Sequence, residues 1–70
     1  MATAIYMQNA KNVILKNVTI RGFDFGIVSR NCTFLANRLF LIDNKVGIYA
    51  ENSLGTIYKS YLNYNRHNCE

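Results

Sequence analysis

Proline is absent from this chain, and acidic side chains are scarce: four Asp and Glu stand against eight Lys and Arg in 70 residues. Without proline there is no polyproline linker. With half its residues hydrophobic, the chain has more apolar material than a disordered tail carries. Cysteine is limited to Cys32 and Cys69, too few for a disulfide-dense scaffold and without the paired spacing of a zinc site. No apolar run approaches the ~18 residues of a membrane span, and no membrane partner is expected. The start, Met1 to Tyr6, lacks the basic opening and long apolar stretch of a signal peptide. Seventy residues hold one small domain. What the chain does have is asparagine, ten of them, set among Ile, Leu, Tyr and Val. Asn accepts the left-handed backbone of tight turns, so this pairing predicts strands separated by many turns.

The sequence also repeats. Gly26-Ile27-Val28 recurs as Gly47-Ile48-Tyr49, and Ala4-Ile5-Tyr6 precedes them at a similar interval. Three units follow, 4–25, 26–46 and 47–67, with 68–70 beginning a fourth. Written one under another they give chemically coherent columns: Ile5, Ile27, Ile48 and Cys69; Asn9, Asn31 and Asn52; Ala10, Cys32 and Ser53. Further columns are Val18, Phe40 and Tyr61, then Gly22, Asn44 and Asn65, and a uniformly basic one of Lys16, Arg38 and Lys59. The leucine-rich pattern is missing, and helical repeats need longer units. Short runs of β-branched and aromatic residues between Asn and Gly read instead as strands of three to five residues, about three per unit. Such a unit predicts an all-β fold, a right-handed parallel β-helix (solenoid) of about three 21–22-residue coils, stacked about 4.8 Å apart.

The G-I-x-x-x-N openings and the stretches Asn17 to Gly22 and Asn31 to Asn37 resemble the repeats of the right-handed parallel β-helix superfamily, which includes pectate lyases, polygalacturonases and NosD-like proteins. That resemblance implies binding or cleavage of polysaccharide, an extracellular or cell-surface setting, and an inward stack of asparagines that Asn9, Asn31 and Asn52 match by position. It does not carry over an activity, because the acidic calcium cluster and catalytic arginine of a pectate lyase and the aspartate signatures of a polygalacturonase have no counterpart here.

Among the residues themselves, the basic column is the sharpest feature, since like charges stacked at strand spacing repel. Lys16, Arg38 and Lys59, widened by Arg21, Lys45 and Arg66, form a candidate ligand-binding stripe for an acidic polysaccharide; long basic side chains solvating an outward face is the plainer reading. Nucleic acid is not expected, because no recognition motif accompanies the charge. The acids Asp24, Asp43, Glu51 and Glu70 belong to no catalytic motif, so no catalytic residue is assigned. His67 and Cys69 invite a metal reading, but Cys69 continues an apolar column as a small buried residue, and neither a metal nor a cofactor is expected. Cys32 and Cys69 belong to different columns, so no disulfide is expected between them. Asn17-Val18-Thr19 and Asn31-Cys32-Thr33 match the glycosylation pattern, although an inward Asn31 leaves a glycan no room. Tyr49, Tyr58, Tyr61 and Tyr64 would stack on sugar rings if they face out.

No polar cap is visible at either end, and uncapped strand edges recruit other chains. The expected partner is therefore a second copy, or the neighbouring coils of a longer parent protein. Three functional readings remain open: a non-catalytic structural or carbohydrate-associated module touching acidic polysaccharide through the basic column; a fragment of a polysaccharide lyase or glycoside hydrolase whose catalytic residues lie outside this chain; and, third in order, the NosD-like metal-maturation protein that the family resemblance implies.

Overall fold

The computed structural model describes residues 1–63 and 65–69, with only the backbone of Asn63 and Asn68. Eight strands follow one another: β1 (Thr3–Gln8), β2 (Val13–Arg21), β3 (Phe25–Arg30), β4 (Thr33–Ile42), β5 (Val46–Glu51), β6 (Leu54–Tyr58), β7 (Tyr61–Asn63) and β8 (His67–Cys69). They sort into two parallel sheets. Sheet A has the order β1-β3-β5-β8; sheet B has the order β2-β4-β6, with β7 also on β4.

This corrects the expected architecture. The chain is all-β, but in place of a closed three-coil solenoid it forms two separate parallel sheets, and no strand ladder joins one to the other among the described residues. The expected three strands per unit are two in the first two repeats, because β2 and β4 run nine and ten residues. Each passes through a left-handed residue, Asn17 or Arg38, without ending. Pairing simply skips that position: Lys16 lies opposite Asn37 and Val18 opposite Leu39, with Asn17 and Arg38 facing each other unpaired. The bend looks like a strand boundary in sequence, but parallel hydrogen bonds on both sides hold the strand together across it.

Repeats are offset by 22 residues where β1 meets β3 (Ile5 with Ile27) and by 21 where β2 meets β4 (Val13 with Phe34). The extra residue of the first repeat therefore sits in the exposed connection between Asn9 and Val13. This moves several columns by one place. Phe40 and Tyr61 align with Thr19 instead of Val18. Gly22 stands beside Asp43, its N–H donating to Ile42 O, and Asn44 and Asn65 continue a column that begins at Phe23.

The core lies between the inward faces. Ile27, Ala36, Leu39 and Leu41 are fully buried, and Met7, Ile20, Cys32, Phe34 and Ile48 pack with them. Inward residues alternate along each half-strand, as Phe34 and Ala36 and then Leu39 and Leu41 do along β4; the left-handed Arg38 restores the alternation after the bend. Gly55 leaves room for this packing, since a Cβ there would run into the ring of Phe34 on the neighbouring strand.

Turns are closed by side chains that reach the next repeat. Asn9, Asn31 and Asn52 all have φ between 50° and 56°. Asn31 Nδ2 donates to Asn9 Oδ1 at 3.2 Å, and Asn52 Nδ2 donates to Asn31 Oδ1 at 2.6 Å. These asparagines are exposed and not inward as expected, so the steric objection to a glycan on Asn31 falls away. Where a bend interrupts a ladder, a hydroxyl replaces the missing backbone acceptor. Ser53 Oγ accepts from the N–H of Cys32 and donates to Glu51 O, and Ser60 Oγ accepts from Leu39 N–H and donates to Tyr58 O.

Candidate functional site

The residues of the basic column do not align as expected. Lys16 lies in register with Asn37 and Tyr58, whereas Arg38 shares its place with Asn17 and Lys59. Lys16 is thus one residue out of line, because the 22-residue offset between β1 and β3 falls to 21 between β2 and β4, the extra residue sitting before β2. The uniform stack of three cations becomes an Arg38–Lys59 pair at strand spacing, with Lys16 in the adjoining column.

The backbone at this pair carries its own information. Arg38 and Lys59 have φ of 59° and 51°. Left-handed backbone costs a residue with a Cβ about 1 kcal/mol, less for Asn. Elsewhere the described chain assigns positive φ to Asn9, Asn12, Asn17, Asn31, Asn52, Asp43 and Gly22. Only at 38 and 59 does it place long cations there, and unfavourable backbone concentrates at functional positions.

Charge is distributed unevenly around the pair. Asp24 bonds Lys45 at 3.3 Å, Glu51 lies 3.7 Å from Arg30, and Asp43 lies 4.0 Å from Arg21, each bridge tying consecutive repeats. Those bridges use every described carboxylate, and Arg21 and Lys45 are drawn away from the expected patch. Lys16, Arg38 and Lys59 are exposed and have no acidic partner among the described residues. Beside them on sheet B stand Phe40, Tyr58 and Tyr61, each 37–43% exposed, aromatic surfaces within one or two residues of the bends. Tyr49 faces elsewhere, stacked on Phe25 of sheet A at 5.9 Å between ring centres. Tyr64 and Glu70 lie outside the described residues. Sequence reasoning named the cations but gave Phe40 no place beside them; the register and the half-exposure of its strand bring it there.

The remaining candidates resolve individually. Asp24 Oδ2 accepts the N–H of Ala2 at 2.9 Å. That bond, followed by the hydrogen bond and charge of Lys45, holds its carboxyl below the ordinary value of 3.8. A lowered folded value means that the stabilisation is fully present above the unfolded value and is lost as the pH falls through the folded one. The stability difference between the wild type and Asp24→Asn is therefore expected to be constant near neutrality and to narrow below pH 3.8, which urea titrations at a series of pH values will read. Cys69 does pair with Ile48, but it is exposed where burial was expected, because its strand is the outermost of sheet A. Cys32 is a buried free thiol.

No family model matches this chain, and neither a curated protein nor a solved structure matches it. With two separate sheets in place of a solenoid, likeness to pectate lyases supplies no functional residue.

Proposed function

We propose that this chain is a non-catalytic binding module whose sheet B face contacts an acidic polysaccharide through Lys16, Arg38 and Lys59. The observation that carries this reading is the placing, in consecutive repeats on left-handed backbone, of two cations that have no acidic partner among the described residues, where the first repeat has Asn17. Guanidinium and ammonium groups meet the carboxylates of uronic acids, and the half-exposed rings of Phe40, Tyr58 and Tyr61 offer apolar surface to pyranose faces. A net charge of +4 adds a weak long-range attraction that salt screens.

The reading makes a paired prediction. Arg38→Asn with Lys59→Asn, which suits left-handed backbone, is expected to raise stability by about 1 kcal/mol in total, read as a higher urea midpoint. Combined with Lys16→Ser, the same changes are expected to weaken binding to polygalacturonate at least about tenfold by calorimetry at low salt. Binding that survives all three substitutions, or that is equal for a neutral glucan, rules the reading out. A preference for single-stranded nucleic acid over polyuronate would replace the ligand class.

A further inference from the structure

Sheet B ends on β6 and β7, whose far edges pair with nothing among the described residues. Leu54 is 75% exposed there, and Ile57, on the inward face, is 36% exposed. We propose that this edge receives β2 of a second copy of the chain, extending both sheets head to tail, and that β8 holds the place on β5 that the second copy's β1 takes when it docks.

Three features select a second copy over an arbitrary strand. The first is the bend. The edge turns at Lys59 with φ 51°, and β2 turns at Asn17 with φ 56°. Continuing the register in which Asn17, Arg38 and Lys59 share one position sets the second copy's Asn17 over Lys59. A straight strand would pair with β6 or with β7, not with both. The second is the alternation. In that register the second copy's Leu15 falls over Ile57 and its Ile20 over Leu62, as Leu15, Ala36 and Ile57 and then Ile20, Leu41 and Leu62 already succeed one another. The charges are compatible as well: Lys16 falls beside Tyr58, and neutral Asn17 beside Lys59, so no two cations are stacked across the junction.

The third is the direction of the asparagine contacts. Each amide donates toward the N-terminal repeat, Asn52 to Asn31 and Asn31 to Asn9. Among the described residues this leaves Asn52 Oδ1 with no donor at one end and Asn9 Nδ2 with no acceptor at the other. Docking in the stated register sets the second copy's Asn9 over Asn52, and the open donor meets the open acceptor. The two ends are complementary to each other and not to themselves, so the assembly is heterologous and does not close as a two-fold dimer.

In that arrangement the second copy's β1 lies on β5, where β8 now sits. β8 pairs with β5 at His67 and Cys69 and sets an exposed Cys69 against Ile48; β1 pairs with its neighbour at five positions, Thr3, Ile5, Tyr6, Met7 and Gln8, and sets Ile5 into that column. Ile5 is the more apolar cover for Ile48 than the exposed Cys69, so β8 limits assembly without preventing it.

Sedimentation equilibrium of the 70-residue chain over a hundredfold concentration range, with circular dichroism on the same samples, tests this. The wild type is expected to grow steadily in average mass with concentration. Ile57→Lys places a charge inward on one edge and Leu15→Lys on the other; each variant alone is expected to stay monomeric. Their equimolar mixture holds one intact edge of each kind and is expected to give a one-to-one dimer and nothing larger. Cys69→Ile, which strengthens β8 by about two methylenes of apolar contact, is expected to lower the wild-type association constant roughly tenfold. A wild type that stays monomeric throughout overturns the proposal. So does a mixture of folded variants that stays monomeric, or self-association of either folded variant alone. If a lysine variant does not fold, the Cys69→Ile measurement decides, and an unchanged or larger constant there rejects displacement of β8.

Discussion

Asn44→Leu is expected to cost about 3 kcal/mol of stability, although the two side chains branch alike at Cγ. Asn44 is 2% exposed and works as a segment of backbone. Its Oδ1 accepts the N–H of Phe23 at 2.9 Å, and its Nδ2 donates to Ile20 O at 3.2 Å and to Asn65 Oδ1 at 3.1 Å. Leucine leaves the Phe23 N–H without its side-chain acceptor and removes the amide donor from Ile20 O, at the turn where the chain passes from sheet B to sheet A, and an unsatisfied buried group costs about 1 to 3 kcal/mol. Asn44→Asp separates shape from hydrogen bonding. It keeps the acceptor for Phe23 but sets a carboxylate oxygen against Ile20 O and Asn65 Oδ1, which disfavours the ionised form. Its deficit relative to the wild type is expected to narrow as the pH falls through the carboxylate range, where protonation restores a donor. Urea midpoints of the three proteins at neutral and mildly acid pH give both results; a Leu variant within about 0.5 kcal/mol of wild type would show that the bridge adds little.

Leu41→Ala is expected to be at least as damaging, at about 3 to 4 kcal/mol. Leu41 is fully buried and stands between Ile20 and Leu62 in the middle strand of sheet B, so repeats on both sides hold the site open and prevent collapse around the deleted methyls. In a domain this small the loss corresponds to a drop of about 15 °C or more in Tm. Ile14→Ala on the outer face of the same sheet, where Ile14 is 70% exposed, is the control and is expected to change stability by less than about 0.5 kcal/mol. Thermal unfolding followed by circular dichroism compares the pair. Equal effects from Leu41 and Ile14 would mean that the outer face is covered in solution, as parallel sheets generally require.

The two proposals divide the molecule between them. Polyanion contact uses the outer face of sheet B around Arg38 and Lys59, whereas assembly uses the strand edges of β1 and β2 on one copy and of β5, β6 and β7 on the other, with Lys59 standing where face and edge meet. Assembly would then add further cation pairs along one continuous face, so affinity for a long polyuronate would rise with assembly size by multivalency.

Local chemistry made some positions legible in sequence. Asn9, Asn31 and Asn52 are readable because left-handed backbone favours Asn, and the column of Ile5, Ile27, Ile48 and Cys69 is readable because a repeat near 21 residues keeps like residues in line. Lys16, Arg38 and Lys59 could be picked out as cations, but their alignment could not. A single extra residue between Asn9 and Val13 leaves the period nearly unchanged while shifting every column of β2 by one place, and only hydrogen-bond register shows on which side of that residue the shift begins.

By itself, then, the sequence determined that the chain is built of short β repeats about 21 residues long and where many of its turns require positive φ, since both follow from single residues and their spacing. Tertiary structure alone decided that the strands form two separate parallel sheets, that Arg38 and Lys59 occupy left-handed bends without acidic partners among the described residues, that Asn44 replaces backbone inside the core, and that the asparagine contacts run in one direction. Those features depend on which groups from different repeats meet at a few ångströms, and a backbone that bends without breaking its strand looks, in sequence, the same as one that ends it.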